Sequence, residues 1–211
     1  MAVNAARRSR RPYISPVRQA NADATRRAVL SAARAVFAKS GYEAATIESV
    51  AAAARVSTPT VYALFRSKPG LLSALLADAG SDPDIRALVN RALKEDDPHR
   101  RLVAVARIVR TIIERERAVL DVLRQAGIGR SELHSARRQV HQQQREALGR
   151  ALQPLIDAGG LRPGLRLEEA VATLSALASP ECFWLLVEES GWSATRWERW
   201  LASTAIRLFI D

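Results

Sequence analysis

A chain of 211 residues with 48% hydrophobic and 26% charged residues has the composition of a soluble globular protein. Its longest stretch without a charged residue, 170–180, is too short to cross a bilayer, which takes about 20 apolar residues. No apolar run of signal-peptide length follows the N-terminal arginines, so secretion is not expected. The single cysteine, Cys182, cannot form an internal disulfide and fits a reducing compartment. We therefore expect a cytoplasmic protein.

The positive charge is concentrated in the first third of the chain. The formal net charge is +10, and residues 1–70 hold 12 Lys and Arg against 3 Asp and Glu. Residues 71–211 are nearly balanced, with 20 basic against 19 acidic residues. Such a local field attracts polyanions, which for a protein are chiefly nucleic acids or anionic membrane surfaces. A solubilising surface without a partner is the alternative.

The N-terminal segment divides into a basic arm and a first helix. Residues 1–22 carry five arginines together with Pro12 and Pro16, and we predict a disordered arm there. Helical periodicity begins near Asp23, and Gly41 stands where a C-terminal glycine usually ends a helix. The apolar face of this first helix consists of Val29, Ala33, Val36 and Phe37.

Three short helices follow, each with a recognisable start. Thr46 caps the second helix, Ser57 caps the third and Ser67 caps the fourth. Pro59 lies in the first turn of the third helix, where its missing N–H costs nothing. The second and third helices are joined by about three residues, with the small Ala51 where they cross. This spacing predicts a helix-turn-helix.

The remaining two thirds read as longer helices. Asp82-Pro83 and Asp97-Pro98 each combine a cap with a proline at the first helical position. A charged stretch, 114–117, separates two further helices, and Ser131 opens a long polar helix that runs to about residue 158. Two last helices span about 167–189, with a kink at Pro180, and about 194–209. The chain is therefore predicted to be all-α, with about nine helices.

The start of the third helix is the candidate nucleic-acid reader. In a helix-turn-helix the second helix enters the major groove with its N-terminus first. Its exposed early residues are predicted to reach base edges, with hydroxyls as donors or acceptors and apolar groups against thymine methyls: Thr58, Pro59, Thr60, Tyr62 and Ala63. Phosphate contacts are expected from Thr46, Ser57, Tyr62 and Lys68. Each residue alone could be no more than a helix cap; their combination inside the basic third favours DNA.

The stretch from Thr25 to Leu76 resembles the DNA-binding domain of the TetR/AcrR family of repressors. The matching features are Phe37-x-x-x-Gly41-Tyr42, Thr46-Ile47, Val56-Ser57-x-x-Thr60-Val61-Tyr62, and Phe65-x-Ser67-Lys68 followed by Leu71-Leu72. The resemblance implies that Ser57, Thr60, Tyr62 and Lys68 contact DNA. Arg55 and Pro59 depart from it, because family members more often carry glycine at these two positions.

The resemblance also implies a dimer built from the last two long helices. These helices carry the predicted interface residues Leu174, Leu185, Trp197, Trp200, Leu201 and Leu208. The apolar stripe on the last helix is too large for a surface helix, which is consistent with a buried interface. Packing inside the same subunit is the alternative for each of these side chains.

A small-molecule pocket in the C-terminal domain is likewise implied. The candidate lining residues are apolar, with one histidine as a polar contact: Ile108, Ile112, Leu123, Leu148, Trp184 and His141. Ordinary core packing is the alternative for all six. The histidines show no metal-ligand spacing, and no catalytic motif is present, so we expect no metal, no cofactor and no enzymatic activity.

Three segments and one function follow from these observations. We predict a basic arm (1–22), a helix-turn-helix DNA-binding domain (23–69) and a helical ligand-sensing and dimerisation domain (70–211). We expect a homodimeric transcriptional repressor that binds a palindromic operator in double-stranded DNA and is released by a small-molecule effector. The alternatives are a small-molecule-sensing or protein-interaction bundle without operator binding, and a membrane-surface protein that uses the basic arm.

Overall fold

The computed structural model describes residues 16–78, 82–125 and 131–210, without the side chains of 16–18, 123–125 and 131–136. All regular structure in these ranges is helical, in agreement with the predicted all-α class, but eleven α-helices are present rather than about nine. The helices are α1 (Pro16–Ala44), α2 (Ile47–Ala54), α3 (Thr58–Phe65), α4 (Lys68–Asp78), α5 (Pro83–Leu93), α6 (Pro98–Arg115), α7 (Arg117–Gln125), α8 (Ser131–Asp157), α9 (Leu167–Leu177), α10 (Pro180–Phe183) and α11 (Ala194–Phe209). A π-helical segment, Trp184–Glu189, follows α10.

The first helix begins earlier than predicted. It starts at Pro16 instead of Asp23, so residues 16–22 are helical and do not belong to an irregular arm. Asp23 accepts a hydrogen bond from the Gln19 side chain one turn earlier, at 3.2 Å, instead of capping the helix. Gly41, with φ 71° and ψ 167°, interrupts α1 where the sequence predicts its end. The predicted arm residues 1–15 lie outside the described part of the chain.

The predicted helix over 167–189 is divided into three pieces. Helix α9 ends at Leu177, and α10 starts with Pro180 in its first turn, capped by the Ser179 hydroxyl. The axis bends by 42° at this break. Proline has no N–H and clashes with the preceding turn. Helix α9 therefore ends before Pro180 and a new helix starts there, where the sequence predicts only a kink.

Helices α1 to α4 form the head of the molecule around one small core. Helix α1 packs against α2, α2 against α3, and α4 closes the arrangement. The buried side chains are Val29, Leu30, Ala33, Phe37, Ile47, Val50, Ala51, Val61, Phe65, Leu71, Leu72 and Leu75. This core leaves the N-terminal half of α3 on the outside of the head.

Helices α5 to α11 form the body. Helix α11 packs along α6, α8 packs along α9, and α5 packs on α6. The head meets the body where α1 touches α7 and where α4 touches α8. The apolar side of α11 faces the body interior and consists of Trp197, Leu201, Ala202, Ala205 and Phe209.

Three of the predicted interface residues are buried within their own subunit. Leu174, Trp197 and Leu201 are at most 1% exposed within their own subunit, and the Trp197 ring packs edge-on against Phe183 with centroids 5.0 Å apart. The apolar stripe of α11 is the side that α6 covers, so it has no surface left for a partner. Leu185 and Leu208 are exposed and Trp200 is half-buried, so these three remain interface candidates.

None of the described helices is by itself long and apolar enough to cross a membrane. The bent pair of α9 with α10 and its π-helical continuation passes that test on length and composition alone.

Candidate nucleic-acid interface and internal cavity

Helix α2 begins with a reciprocal hydroxyl cap. The Thr46 side chain accepts a hydrogen bond from the Ser49 N–H at 3.1 Å, and the Ser49 hydroxyl accepts one from the Thr46 N–H at 3.1 Å. Two backbone donors at the helix start are thereby satisfied without any charge. Thr46 is exposed at the surface of the head, where the sequence predicts a phosphate contact.

The turn between α2 and α3 contains an arginine in a left-handed conformation. Arg55 has φ 56° and ψ 41°, and its N–H donates to Ala52 O at 3.1 Å. The Val56 N–H donates to Ala51 O at 3.0 Å, which completes a Schellman motif. Glycine is favoured at this position because a Cβ crowds the neighbouring backbone there. The departure at Arg55 is therefore a strained one, with the side chain exposed.

The start of α3 is organised by its own hydroxyls. The Ser57 Oγ accepts a hydrogen bond from the Thr60 N–H at 3.3 Å and lies 2.8 Å from the Thr60 Oγ1. Pro59 is exposed in the first turn, and Thr58 is half-buried. Tyr62 is 46% exposed, although it is a large ring. The structure thus gathers the predicted base-contacting residues on one outward surface, and contact with DNA stays a prediction.

Lys68 occupies a different role from the predicted one. Its ammonium donates to three backbone carbonyls at the α1–α2 connection: Tyr42 O at 2.6 Å, Ala45 O at 2.8 Å and Glu43 O at 3.2 Å. It also lies 4.4 Å from the centre of the Tyr42 ring. All three N–H donors are therefore used within the head. Lys68 fastens the start of α4 to the end of α1, and a direct phosphate bond would require it to leave these carbonyls.

The corner between α3 and α4 is tight, which sequence reasoning missed. Arg66 has φ 65° and ψ −38°, and the Ser67 N–H donates to Phe65 O at 2.8 Å across it. This geometry is that of a γ-turn with positive φ, which is strained for a residue with a side chain. A Cβ at Gly70 would lie 2.1 Å from Phe65 O, so only glycine lets α4 approach α3 this closely. A glycine in the first turn of an otherwise apolar helix is the one sequence signal of this contact.

The head carries several exposed cations, and one further arginine lies at the end of α3. Arg27, Lys39, Arg55 and Arg66 are exposed on the head, and Arg26 stacks over the Phe65 ring at 5.0 Å. Their positive field adds to the neutral hydroxyls at the helix start. This combination suits a phosphate backbone, whose neutralisation provides most of the non-specific affinity for DNA.

A partly open cavity of about 470 Å³ lies between α4 of the head and the body, where α5, α6, α7, α8, α10 and the π-helical segment line it. Five of the six predicted ligand contacts line it: Ile108, Ile112, His141, Leu148 and Trp184. The side chain of the sixth, Leu123, lies outside the described residues. The walls are mostly apolar, as is usual for sites that bind small organic molecules. Binding of a ligand there stays a prediction.

A few polar groups interrupt the apolar walls. The half-buried His141 comes from α8, and the neighbouring Gln144 donates a hydrogen bond to Ala178 O at 2.9 Å. Arg137 and Glu181 form an exposed ion pair of 2.6 Å between α8 and α10. Glu116 is almost fully buried and faces both the cavity and the head. Sequence reasoning assigned no role to Glu116, because a carboxylate within a charged stretch carries no distinguishing signal.

Comparison with known proteins identifies the head. Residues 29–75 match the family model of bacterial regulatory proteins, tetR family. The matched segment contains all of α2 and α3, with their caps, and nearly all of α4. No curated protein sequence matches the chain.

Solved structures of similar fold extend the comparison to the whole chain. NalD, the secondary repressor of the MexAB-OprM multidrug efflux pump in Pseudomonas aeruginosa, is 24% identical over 91% of this chain and 98% of its own, with a TM-score of 0.62. SmeT of Stenotrophomonas maltophilia, in complex with triclosan, is 22% identical over 89% and 92%, with a TM-score of 0.65. FadR of Bacillus subtilis, in complex with stearoyl-CoA, is 17% identical over 85% and 97%, with a TM-score of 0.66.

The sequence match and the shared fold agree. Residues 29–75 match the tetR-family model, and the chain as a whole shares its fold with solved structures of TetR-family transcriptional regulators.

Proposed function

We propose that this protein is a sequence-specific, DNA-binding transcriptional repressor that a small-molecule effector releases from its operator. The observation that carries the proposal is the outward start of α3, where Ser57, Thr60 and Tyr62 lie together on a basic head. Hydroxyls and an aromatic ring at this point can reach base edges in a major groove. The surrounding arginines supply the sequence-independent part of the affinity.

The repressor acts as a homodimer. Helix α3 has only eight residues, so one copy reads few base pairs. A two-fold pair reads two half-sites about 34–36 Å apart, which makes the operator a palindrome. The outer surfaces of the last helices, with Leu185, Trp200 and Leu208, supply the apolar groups available for the contact between subunits.

The effector is an apolar or amphipathic molecule that occupies the cavity. A volume of about 470 Å³ suits a ligand of drug size. Two proteins of the same fold have been solved with ligands of this kind, SmeT with triclosan and FadR with stearoyl-CoA. SmeT and NalD are repressors, which favours repression over activation for this chain.

The decisive experiment is a selection of preferred duplexes from a random pool, followed by titration of the enriched sequence. We expect a palindrome. Tyr62→Ala should weaken binding by about tenfold or more, because a central contact in the groove is worth about 1–3 kcal/mol. Val103→Ala, which truncates a similarly exposed apolar side chain on α6, serves as the control and should bind normally.

Two further binding measurements, with heparin and with anionic vesicles, test the other two functions. Equal affinity for all duplexes and for heparin would favour a sensing or interaction bundle without operator binding. Binding to anionic vesicles that survives in a Tyr62→Ala, Arg55→Ala variant would favour a membrane-surface protein that uses the basic arm. An enriched palindrome with the expected loss at Tyr62 excludes both.

A further inference from the structure

One guanidinium joins the head to the body. Arg34, on the inner side of α1, contacts Glu116 at the junction of α6 and α7, with Nε to Oε2 at 3.2 Å and Nη2 to Oε1 at 3.1 Å. Both nitrogens of one edge of the guanidinium therefore face both oxygens of one carboxylate. The pair therefore consists of one charge-assisted hydrogen bond, from Nε, and one further ion contact, from Nη2.

The same guanidinium also holds the end of α4. Its Nη1 lies 3.4 Å from Asp78 Oδ2, and its Nη2 donates to Leu75 O at 3.3 Å. Arg34 therefore contacts the last turn of α4 and the α6–α7 junction together. Because the guanidinium is planar and rigid, it cannot follow a movement of one anchor without disturbing its bonds to the other.

Glu116 belongs both to the contact with Arg34 and to the wall of the cavity. It lines the cavity while its side chain is only 7% exposed. Its N–H donates to Ile112 O at 2.9 Å, and its carbonyl accepts from the Val119 and Leu120 N–H groups. Its position is thus set by the last turn of α6 and the first turn of α7. Ile112, one turn earlier, is also a cavity wall.

Helix α4 connects the Arg34 contacts to α3. Leu76 and Ala77 of α4 line the cavity, and the other end of α4 meets α3 at the Gly70–Phe65 contact. That contact leaves no space for α4 to slide along α3. A displacement at the Asp78 end of α4 is therefore passed on to α3 as a change in its orientation.

We propose that the Arg34–Glu116 pair is the positioning contact through which occupation of the cavity changes the orientation of α3. A molecule that presses on Ile112 moves the last turn of α6 and with it the Glu116 carboxylate. Arg34 then loses its contact with Glu116 and keeps its contacts with Asp78 and Leu75 in the last turn of α4. Helices α1 and α4 therefore shift together. The inference rests on the proposed function, since it names the residues through which the effector would regulate DNA binding.

The chain offers a matched control next to Glu116. Arg115 is also paired with two carboxylates, Asp82 and Asp84, and is 39% exposed against 32% for Arg34. Both partners of Arg115 belong to the start of α5 in the body. Removing Arg115 therefore breaks a more exposed arginine–carboxylate contact at the same end of α6 without touching the contact between head and body.

The test uses substitutions in the cavity wall in place of a ligand. In the full-length protein, Ile112→Trp fills the cavity beside Glu116 and Ile112→Ala enlarges it. Each is combined with wild-type Arg34, with Arg34→Met and with Arg115→Met, and amide hydrogen exchange is measured in α1 and α4. Circular dichroism confirms folding, and Glu116→Gln replaces Arg34→Met if that variant fails to fold.

We expect both Ile112 substitutions to change exchange in the second half of α1 and in α4 by about two- to tenfold with Arg34 present. The change should disappear with Arg34→Met or Glu116→Gln and persist with Arg115→Met. A response that survives Arg34→Met, or no response of the head in the wild-type background, overturns the inference.

The experiments distinguish a failure of this inference from a failure of the proposed function. Hydrogen exchange needs no DNA, so a coupled head in a protein that binds no duplex would contradict operator binding alone. Normal binding of a selected palindrome without any coupling through Arg34 would contradict this inference alone.

Discussion

The head and the body are both built from α-helices, but the head exposes polar and charged groups whereas the body borders an apolar cavity. The head (16–78) combines the long α1 with three short helices and has an outer surface on which cations and hydroxyls are exposed. The body (82–125 and 131–210) has seven α-helices, which together with α4 line a mostly apolar cavity. One region presents groups to a large partner outside the protein, and the other reserves space for a small partner inside it.

The caps of the first helices in each region differ, although serine hydroxyls also cap α10 and α11 in the body. The three caps in the head between α1 and α4 are the hydroxyls of Thr46, Ser57 and Ser67. The first two caps in the body are the carboxylates of Asp82 and Asp97. Either residue type satisfies the same backbone donors. A carboxylate on the head would repel phosphate, so neutral caps suit a DNA-reading surface.

The largest expected effect concerns the body core. Trp197→Ala should reduce the free energy of unfolding by about 3–5 kcal/mol, because it leaves a cavity where a fully buried ring packs on Phe183. Chemical denaturation at two protein concentrations measures this. Trp200→Ala, on the outer side of the same helix, is the control and should cost far less. A loss for Trp197→Ala that depends on protein concentration would place this residue at a subunit interface instead.

The next effect tests the neutral caps of the head. Ser57→Asp should keep α3 folded, because aspartate caps as well as serine, but should weaken binding to a selected palindrome by about tenfold or more through repulsion of phosphate. Ser193→Asp makes the same change at the start of α11 in the body, where Ser193 Oγ accepts from the Arg196 N–H at 3.1 Å. It should leave DNA binding unchanged. Equal losses for the two variants would contradict the difference between head and body.

Smaller effects are expected at the strained turn, where one substitution should increase stability and reduce the salt dependence of DNA binding. Arg55→Gly should increase the free energy of unfolding by about 1 kcal/mol, because glycine tolerates the left-handed conformation. It should also reduce the salt dependence of DNA binding by about one phosphate contact. Arg55→Lys keeps both the strain and the charge and is the control. An unchanged slope in a plot of log affinity against log salt would remove Arg55 from the interface.

The smallest expected effect is a pH dependence of stability that arises from two carboxylate caps in the body. Backbone hydrogen bonds, from Ile85 to Asp82 and from Arg100 to Asp97, lower the pKa of both carboxyls below the ordinary value of 3.8. Their stabilisation is therefore complete above the unfolded-state pKa and is lost as the pH falls through the lower, folded-state pKa. Asp82→Asn with Asp97→Asn should flatten the acid side of the Tm profile. Asp96→Asn, an exposed neighbour outside the cap, should leave it as steep as in wild type.

Much of the head could be predicted because its signals are local. The caps at Thr46, Ser57 and Ser67, the break at Gly41 and the position of Pro59 each depend on residues within about four positions along the chain. The start of α1 at Pro16 was missed, since Asp23 satisfies the pattern of a cap as well as that of a helical i, i+4 partner. Local rules do not rank such alternatives.

The body shows where pattern reasoning ends. Its apolar stripes predict which residues avoid water, but not what covers them. Trp197 and Ile112 carry the same kind of signal, yet one is packed in the core and the other borders a cavity. The difference arises from which helices pack against each side chain, as α11 does against α6, and no single helix contains that information.

The amino-acid sequence by itself determined the all-α class, most helix starts and the hydroxyl-rich beginning of α3, because capping and periodicity act over a few residues. Only the tertiary structure decided that Lys68 fastens the head, that Arg34 joins it to Glu116, and that a cavity lies beside this joint. These features depend on which distant groups meet, and a flexible cation can find several partners that sequence separation does not distinguish.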